Sequence, residues 1–292
     1  MKTYVVDMNM LQKQEFAQLI ETDTTSTFVI PDVALVEMCK SENCELTMRR
    51  ALKVFGPHTH RIEVAIGVSQ ALRMEKATRK PVSRVAILSP AFASTLRQLI
   101  TDLADEEAKK AEEIQQTYAR LRSTLLSQDL NASAAKALTA QGMKILGSLP
   151  KPLFNAIRKN GFPHCRFQDL VHVMTDIFLK KKAVNELGMS NIEAAAFVCA
   201  RPMTTRYEYL LVRHCMLTLK RGGDISRAKP EKELNHHLDM DYVALGSYFD
   251  GVLSHDNGVK DAMEDLQNFL FTPSDEAHTR IAPWFEELAT SK

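Results

Sequence analysis

An α/β fold, with a central parallel sheet and a mostly α-helical insertion, follows from three features of the sequence. Short apolar strands alternate with amphipathic helices over residues 4–40, which is how a parallel sheet opens. A long stretch of helical periodicity without clear strand signals fills the middle of the chain. A short apolar strand then returns near residue 252 and runs into an acid, as the first strand does.

The first strand is "YVV" (4–6), ended by Asp7 and Asn9. In "LQKQEFAQLIE", Leu11, Glu15, Phe16, Leu19 and Ile20 recur at helical spacing and predict a helix over 10–21. The polar turn "ETDTTST" leads to a second strand, "FVI" (28–30). Pro31 and Asp32 open the next helix, with proline in its first turn and an acid at the positive end of the macrodipole. Glu37 sits about a turn and a half in. The runs "RIEVAIGV" (61–68) and "SRVAIL" (83–88) read equally as strand or buried helix.

At "SPAF" (89–92), Ser89 can cap and Pro90 can start a helix. From there Leu96, Ile100, Leu103, Ala111, Ile114, Tyr118, Leu121 and Leu125 form a stripe among dense charges, predicting a long amphipathic helix packed within the protein. Further helices are predicted around 132–147, 167–182 and 190–200, punctuated by "SLPKP" and "NGFPH". A helix over 204–223 ends in two glycines, a plausible C-cap. "DYVALGSYF" reads as a short helix and "GVLS" as the last strand, followed by Asp256. The predicted division is 1–88 and 201–270 for the two parts of the sheet domain, 89–200 for the helical insertion and 271–292 for a C-terminal tail.

Acids therefore recur with one local logic: Asp7 after the first strand, Glu37 on the second helix, Asp239 or Asp241 before the last strand and Asp256 after it. Carboxylates brought together repel, and some protonate unless a cation shares the site. Mg²⁺ or Mn²⁺ suits such a set, since hard cations take carboxylate and water oxygens. A site of that kind can activate water against a phosphodiester.

At these residues the sequence resembles a known family. "VVDMNML" is similar to the opening motif of PIN-domain nucleases, "FVIPDVALVEM" to their second strand and helix, and "DMDYVALGSYFDGVLSHDNG" to their closing motif. The resemblance covers 1–45 and 200–270. It implies a PIN-like α/β/α sandwich and metal-dependent cleavage of RNA, commonly tRNA, rRNA or mRNA in toxin and defence settings. Carried over, Asp7, Glu37, Asp239 and Asp256 form the acidic quartet, with Asp241 the alternative third acid or an assistant. Asn9 and Ser254 become the residues that orient the ligands. The segment between the acidic motifs is far longer than a minimal PIN domain. A structure-specific DNA nuclease and a catalytically silent scaffold are the rival readings.

The helix 201–223 carries Arg201, Arg206, Arg213, Lys220 and Arg221 against the single acid Glu208. It reads either as a solvated basic face or as a surface for substrate phosphates, with Arg206, Arg213, Lys220 and Arg221 as contacts. A local patch is required, because a net charge of +1 recruits no polyanion by itself. "HTH" (58–60) and "HH" (236–237) lack the partner spacing of a transition-metal site and read as loop histidines, although the second pair adjoins Asp239. Cys39, Cys44, Cys165, Cys199 and Cys215 include no CxxC pair and read as reduced thiols of a cytoplasmic protein. No apolar run approaches the ~20 residues of a membrane span. The predicted partner is RNA, with a protein regulator at the helical insertion and a homo-oligomer left open.

Overall fold

The computed structural model describes residues 1–40, 43–104, 132–159 and 162–290. Four strands, β1 (Thr3–Val6), β2 (Thr27–Pro31), β3 (Ile62–Ala65) and β4 (Val252–Leu253), form one sheet in the order β3-β2-β1-β4 with every pair parallel. The chain is thus α/β. Val5, Val6, Phe28, Val29, Ile30, Ile62 and Val64 are fully buried, as strands covered on both faces require. The ambiguous run at 61–68 resolves into β3. The run at 83–88 becomes a one-turn helix, α6 (Arg84–Ile87), capped by Ser83, with Leu88 bridging antiparallel to Ala65.

The predicted first helix is two helices, α1 (Met8–Leu11) and α2 (Gln14–Thr22). Asp7 causes the early start: its carboxylate accepts from the Asn9 backbone N–H and caps α1 directly at the strand end. Pro31 ends β2 rather than starting the next helix, α3 (Asp32–Lys40). After α4 (Cys44–Leu52) and the 3-10 turns of Lys53–Arg61, the buried Arg61 side chain donates to the carbonyls of Ile20, Asp23 and Ser26. Its guanidinium also lies 4.9 Å from the Phe28 ring centre. Phe16, Phe28 and Phe55 pack edge-on beneath, with centroids 5.2–6.0 Å apart. Arg61 thereby satisfies a carbonyl in the last turn of α2 and two in the loop that follows it.

The chain divides into two units. The sheet unit takes residues 1–71, 83–104 and 241–263; the helical unit takes 72–82, 132–240 and 264–290. Both ends of the predicted insertion move. α5 (Val68–Thr78) passes from the first unit to the second, while α7 (Pro90–Ala104) packs on β3 through Ala93, Leu96, Leu99 and Ile100 and belongs with the sheet. Residues 105–131, which hold Ala111, Ile114, Tyr118, Leu121 and Leu125 of the predicted stripe, lie outside the described residues.

The helical unit contains α8 (Ala132–Gly147), α9 (Lys151–Arg158), α10 (His164–Leu187), α11 (Asn191–Cys199) and α12 (Met203–Lys220). α13 (Pro230–Gly246) begins there and ends in the sheet unit, α14 (Asn257–Phe271) runs the other way, and α15 (Ser274–Thr290) closes the chain. The predicted short helix at 241–249 is the tail of α13. α12, predicted with the sheet domain, packs instead on α8, α9 and α10. Its first turn rests on the fully buried Glu75 carboxylate, which accepts from the N–H groups of Met203 and Thr204 at 2.8 Å and from the Thr204 hydroxyl at 2.7 Å. An acid is well placed there, at the positive end of the helix.

Candidate functional site

Because the four strands are parallel, their carboxyl ends share one edge of the sheet, where open α/β sheets place ligands. Asp7 follows β1, Asp32 follows β2, and Ser254 and Asp256 follow β4. Asp7 is 2% exposed. Its Oδ2 accepts from the Ser254 hydroxyl at 2.5 Å, and Ser254 Oγ accepts in turn from the Asp256 N–H at 3.0 Å. Residues 247 positions apart are therefore joined by one short hydrogen bond, and a second ties Asp256 to the same hydroxyl. Burial pushes the Asp7 carboxyl up, the Ser254 and Asn9 hydrogen bonds oppose this, the Asp256 charge adds to it, and the balance lies above the ordinary carboxylate range. Asn9 contributes its backbone N–H while its side chain is exposed. Asp256 caps α14, with Oδ1 accepting from Gly258 N–H at 2.5 Å.

Glu37 reaches the same region through a residue that the sequence reading passed over. Tyr242 Oη donates to Glu37 Oε2 at 2.6 Å and accepts from the Met8 N–H at 3.2 Å. Tyr242 is 1% exposed, and burial, then the Glu37 charge, then Asp7 push its phenol well above the ordinary value. It is a neutral donor that holds one carboxylate and senses another.

Asp32 and Asp241 form a second focus of charge. Burial raises Asp241 well above the usual carboxylate value and the Asp32 charge raises it further; burial likewise brings Asp32 to about 6. The Asp32 carboxylate fills the space over Gly67, just beyond β3, where an added Cβ would lie 2.1 Å from Oδ2. Asp32 was read only as a helix-opening acid; it stands at the same sheet edge as Asp7. Asp239 differs. Its side chain is 42% exposed and lies 3.9 Å from His236 Nδ1. Two residues along a helix is a turn of about 200°, so Asp239 and Asp241 face different ways.

The Asp32 shift gives a pH dependence of defined sign. A carboxyl with its folded pKa raised contributes stability fully below the unfolded value near 3.8 and loses it as pH rises through about 6. Metal-free protein should therefore lose stability between about pH 4 and 6.5, by at most about 3 kcal/mol because the side chain is part exposed. Asp32→Asn should flatten that slope in urea titrations; an unchanged slope would refute the assignment.

The basic helix is more committed than its sequence suggests. Arg213, expected at a phosphate surface, places Nε 2.6 Å from Asp265 Oδ2 and is 12% exposed. Arg206 Nε donates to the Arg201 carbonyl at 2.9 Å, and Lys220 Nζ sits 5.1 Å from the Phe167 ring centre. Arg221, just past the helix end, is exposed. His237 is buried, with Nδ1 2.9 Å from Tyr207 Oη, and burial followed by the His214 charge brings it down to about 4.

Among the described residues no group of three or more His, Cys, Asp or Glu side chains is arranged to hold a metal ion. Mg²⁺ usually binds proteins through one or two carboxylates and keeps several waters, so the test falls on the chemistry of the donors. All are oxygen donors, with Asp7, Asp32 and Asp241 raised in proton affinity, which is the balance a divalent cation reverses. The donor set fits a hard cation. No family model, curated protein or solved structure matches the chain. No helix among the described residues is long and apolar enough to cross a membrane.

Proposed function

We propose that this chain is a PIN-like, Mg²⁺- or Mn²⁺-dependent endoribonuclease. What supports the reading is the set of acids that follow parallel strands at one edge, Asp7 after β1, Asp32 after β2 and Asp256 after β4, with the Asp32 charge also raising the Asp241 carboxyl. Asp7 and Asp256 each cap a helix, which alone would explain an acid at those positions and favours a catalytically silent scaffold. Asp241 caps nothing. It lies inside α13 with its carboxyl raised by burial and by a neighbouring acid, a cost without structural return unless a cation shares the site.

We assign Asp7 and Asp256, linked through Ser254, as the carboxylates that would hold the cation together with its waters, with Asp32, Asp241 and Glu37 completing the acidic field. Asp239 drops out of the set because it pairs with His236. When bound, Mg²⁺ or Mn²⁺ supplies charge for the phosphate and acidifies a coordinated water. Ser254 fixes the Asp7 carboxylate, and Tyr242 fixes Glu37. RNA, as tRNA or another structured RNA in a toxin or antiphage-defence setting in the cytoplasm, is proposed from the resemblance of the acidic motifs. Arg206, Lys220 and Arg221 are proposed as phosphate contacts, whereas Arg213 is paired with Asp265.

The test is to incubate purified protein with total RNA and with plasmid DNA, in Mn²⁺ or in EDTA. RNA cleavage that requires Mn²⁺ supports the reading. Cleavage confined to the plasmid makes the chain a DNA nuclease. Integrity of both substrates with folded protein makes it a scaffold.

A further inference from the structure

Within the helical unit, α8, α10 and α12 leave a cleft of about 470 Å³, within the range of small-ligand sites between helices. Two helices line it with the same spacing. On α10, Phe178, Lys181, Lys182 and Asn185 stand at i, i+3, i+4 and i+7; on α8, Ala137, Ala140, Gln141 and Lys144 do the same. The two alanines explain the space, because larger side chains at those exposed positions would fill it.

The charges in the cleft are unequally used. Glu208, 7% exposed on its side chain, accepts from Lys182 Nζ at 2.9 Å and from Gln141 Nε2 at 3.4 Å, so the Lys182 charge is neutralised in the wall. Lys144 and Lys181 face each other's helices from exposed positions, with Glu186 as the remaining acid, which leaves the opening net positive. Phe178 lines the cleft together with the two alanines, and the Gln141 and Asn185 amides can each donate and accept. The cleft combines an anion subsite, a flat apolar slot and polar edges.

We propose that this cleft binds a nucleotide, its phosphate between Lys144 and Lys181 and its base against Phe178. The same chemistry is offered by a free mononucleotide and by one nucleotide of an RNA strand. This site stands apart from the acidic edge in residues and in chemistry, and it does not depend on the nuclease reading.

The full chain should be titrated calorimetrically, in EDTA to silence cleavage, with the four nucleoside 5′-monophosphates, inorganic phosphate and a short RNA oligonucleotide. Mononucleotide binding that falls about tenfold or more in Lys144→Glu/Lys181→Glu, and is lost in Ala140→Leu, supports the proposal. Oligonucleotide binding alone with the same losses supports it with RNA as the source. Melting curves establish that each variant is folded, and Phe178→Leu serves if Ala140→Leu is not. Absence of binding to any nucleotide, affinity unchanged in the folded variants, or equal affinity for inorganic phosphate would overturn it.

Discussion

Arg201→Met is expected to destabilise the helical unit by about 3–5 kcal/mol, the usual effect of removing one partner from a buried ion pair. Arg201 Nη1 donates to Asp176 Oδ1 at 2.8 Å, with the two side chains 11% and 1% exposed. Nη2 reaches Ser274 Oγ at 3.1 Å and His172 Nε2 at 2.8 Å, and the guanidinium lies 4.0 Å from the Phe269 ring centre. Burial pushes the Asp176 carboxyl up, but the contact with His172 and the Arg201 charge outweigh it and hold the group at about 2. The Arg201 backbone is left-handed, with φ 49°, a strain that surrounding contacts must offset.

Methionine keeps the stem and removes the charge, leaving Asp176 buried without its arginine partner. A depressed carboxyl contributes its stability above the unfolded pKa and loses it as pH falls through the folded one. The deficit of the variant should therefore be largest at pH 7 and shrink toward pH 4, where Asp176 takes up a proton. Urea titrations at both pH values measure it. A deficit under about 1 kcal/mol at pH 7 would mean that the cluster is not a determinant of stability.

For the proposed site, Asp7→Asn should abolish cleavage while leaving the fold intact. The loss should exceed the roughly 10–100-fold that removing an outer partner costs a metal site, since Asp7 is proposed to hold the ion itself. The fold should persist because asparagine caps helices as well as aspartate does, and the Asn9 N–H keeps its acceptor. Without metal the melting temperature should stay level or rise, because the Asp7 carboxyl is held raised by burial and by Asp256. Divalent cation should raise the melting temperature of the parent more than that of the variant. Full nuclease activity in Asp7→Asn would end the proposed role.

Much of the site edge was legible because strand-end acids are local features. Asp7 and Asp256 each follow an apolar run directly, and Ser254 sits two residues from Asp256; all three meet across β1 and β4. Asp32 was hidden because an acid opening a helix already has a sufficient local reason to be there. Asp239 and Asp241 could not be separated without the phase of α13, which depends on what the helix packs against. Arg213 looked available because its partner, Asp265, lies 52 residues away. The apolar stripes of α7 and α12 announced that each helix has a buried face, but a stripe does not name its partner, which is β3 for α7 and the helices α8, α9 and α10 for α12.

β1 draws its two neighbours from very different distances along the chain. Val5 pairs with Val29, 24 positions on, and with Val252, 247 positions on. Closing the longer loop costs about 2 kcal/mol more in chain entropy, a modest equilibrium term that falls mainly on the rate. During synthesis β1 and β2 can pair early, whereas the N–H groups of Val5 and Asp7 wait for the carbonyls of Gly251 and Leu253. Asp7 likewise waits for Ser254. A nascent or prematurely terminated chain thus holds one open sheet edge and half of an acidic cluster. If the chain cuts RNA, the ribosome making it must have released everything through Ser254 and Asp256 before there is an assembled site to cut with.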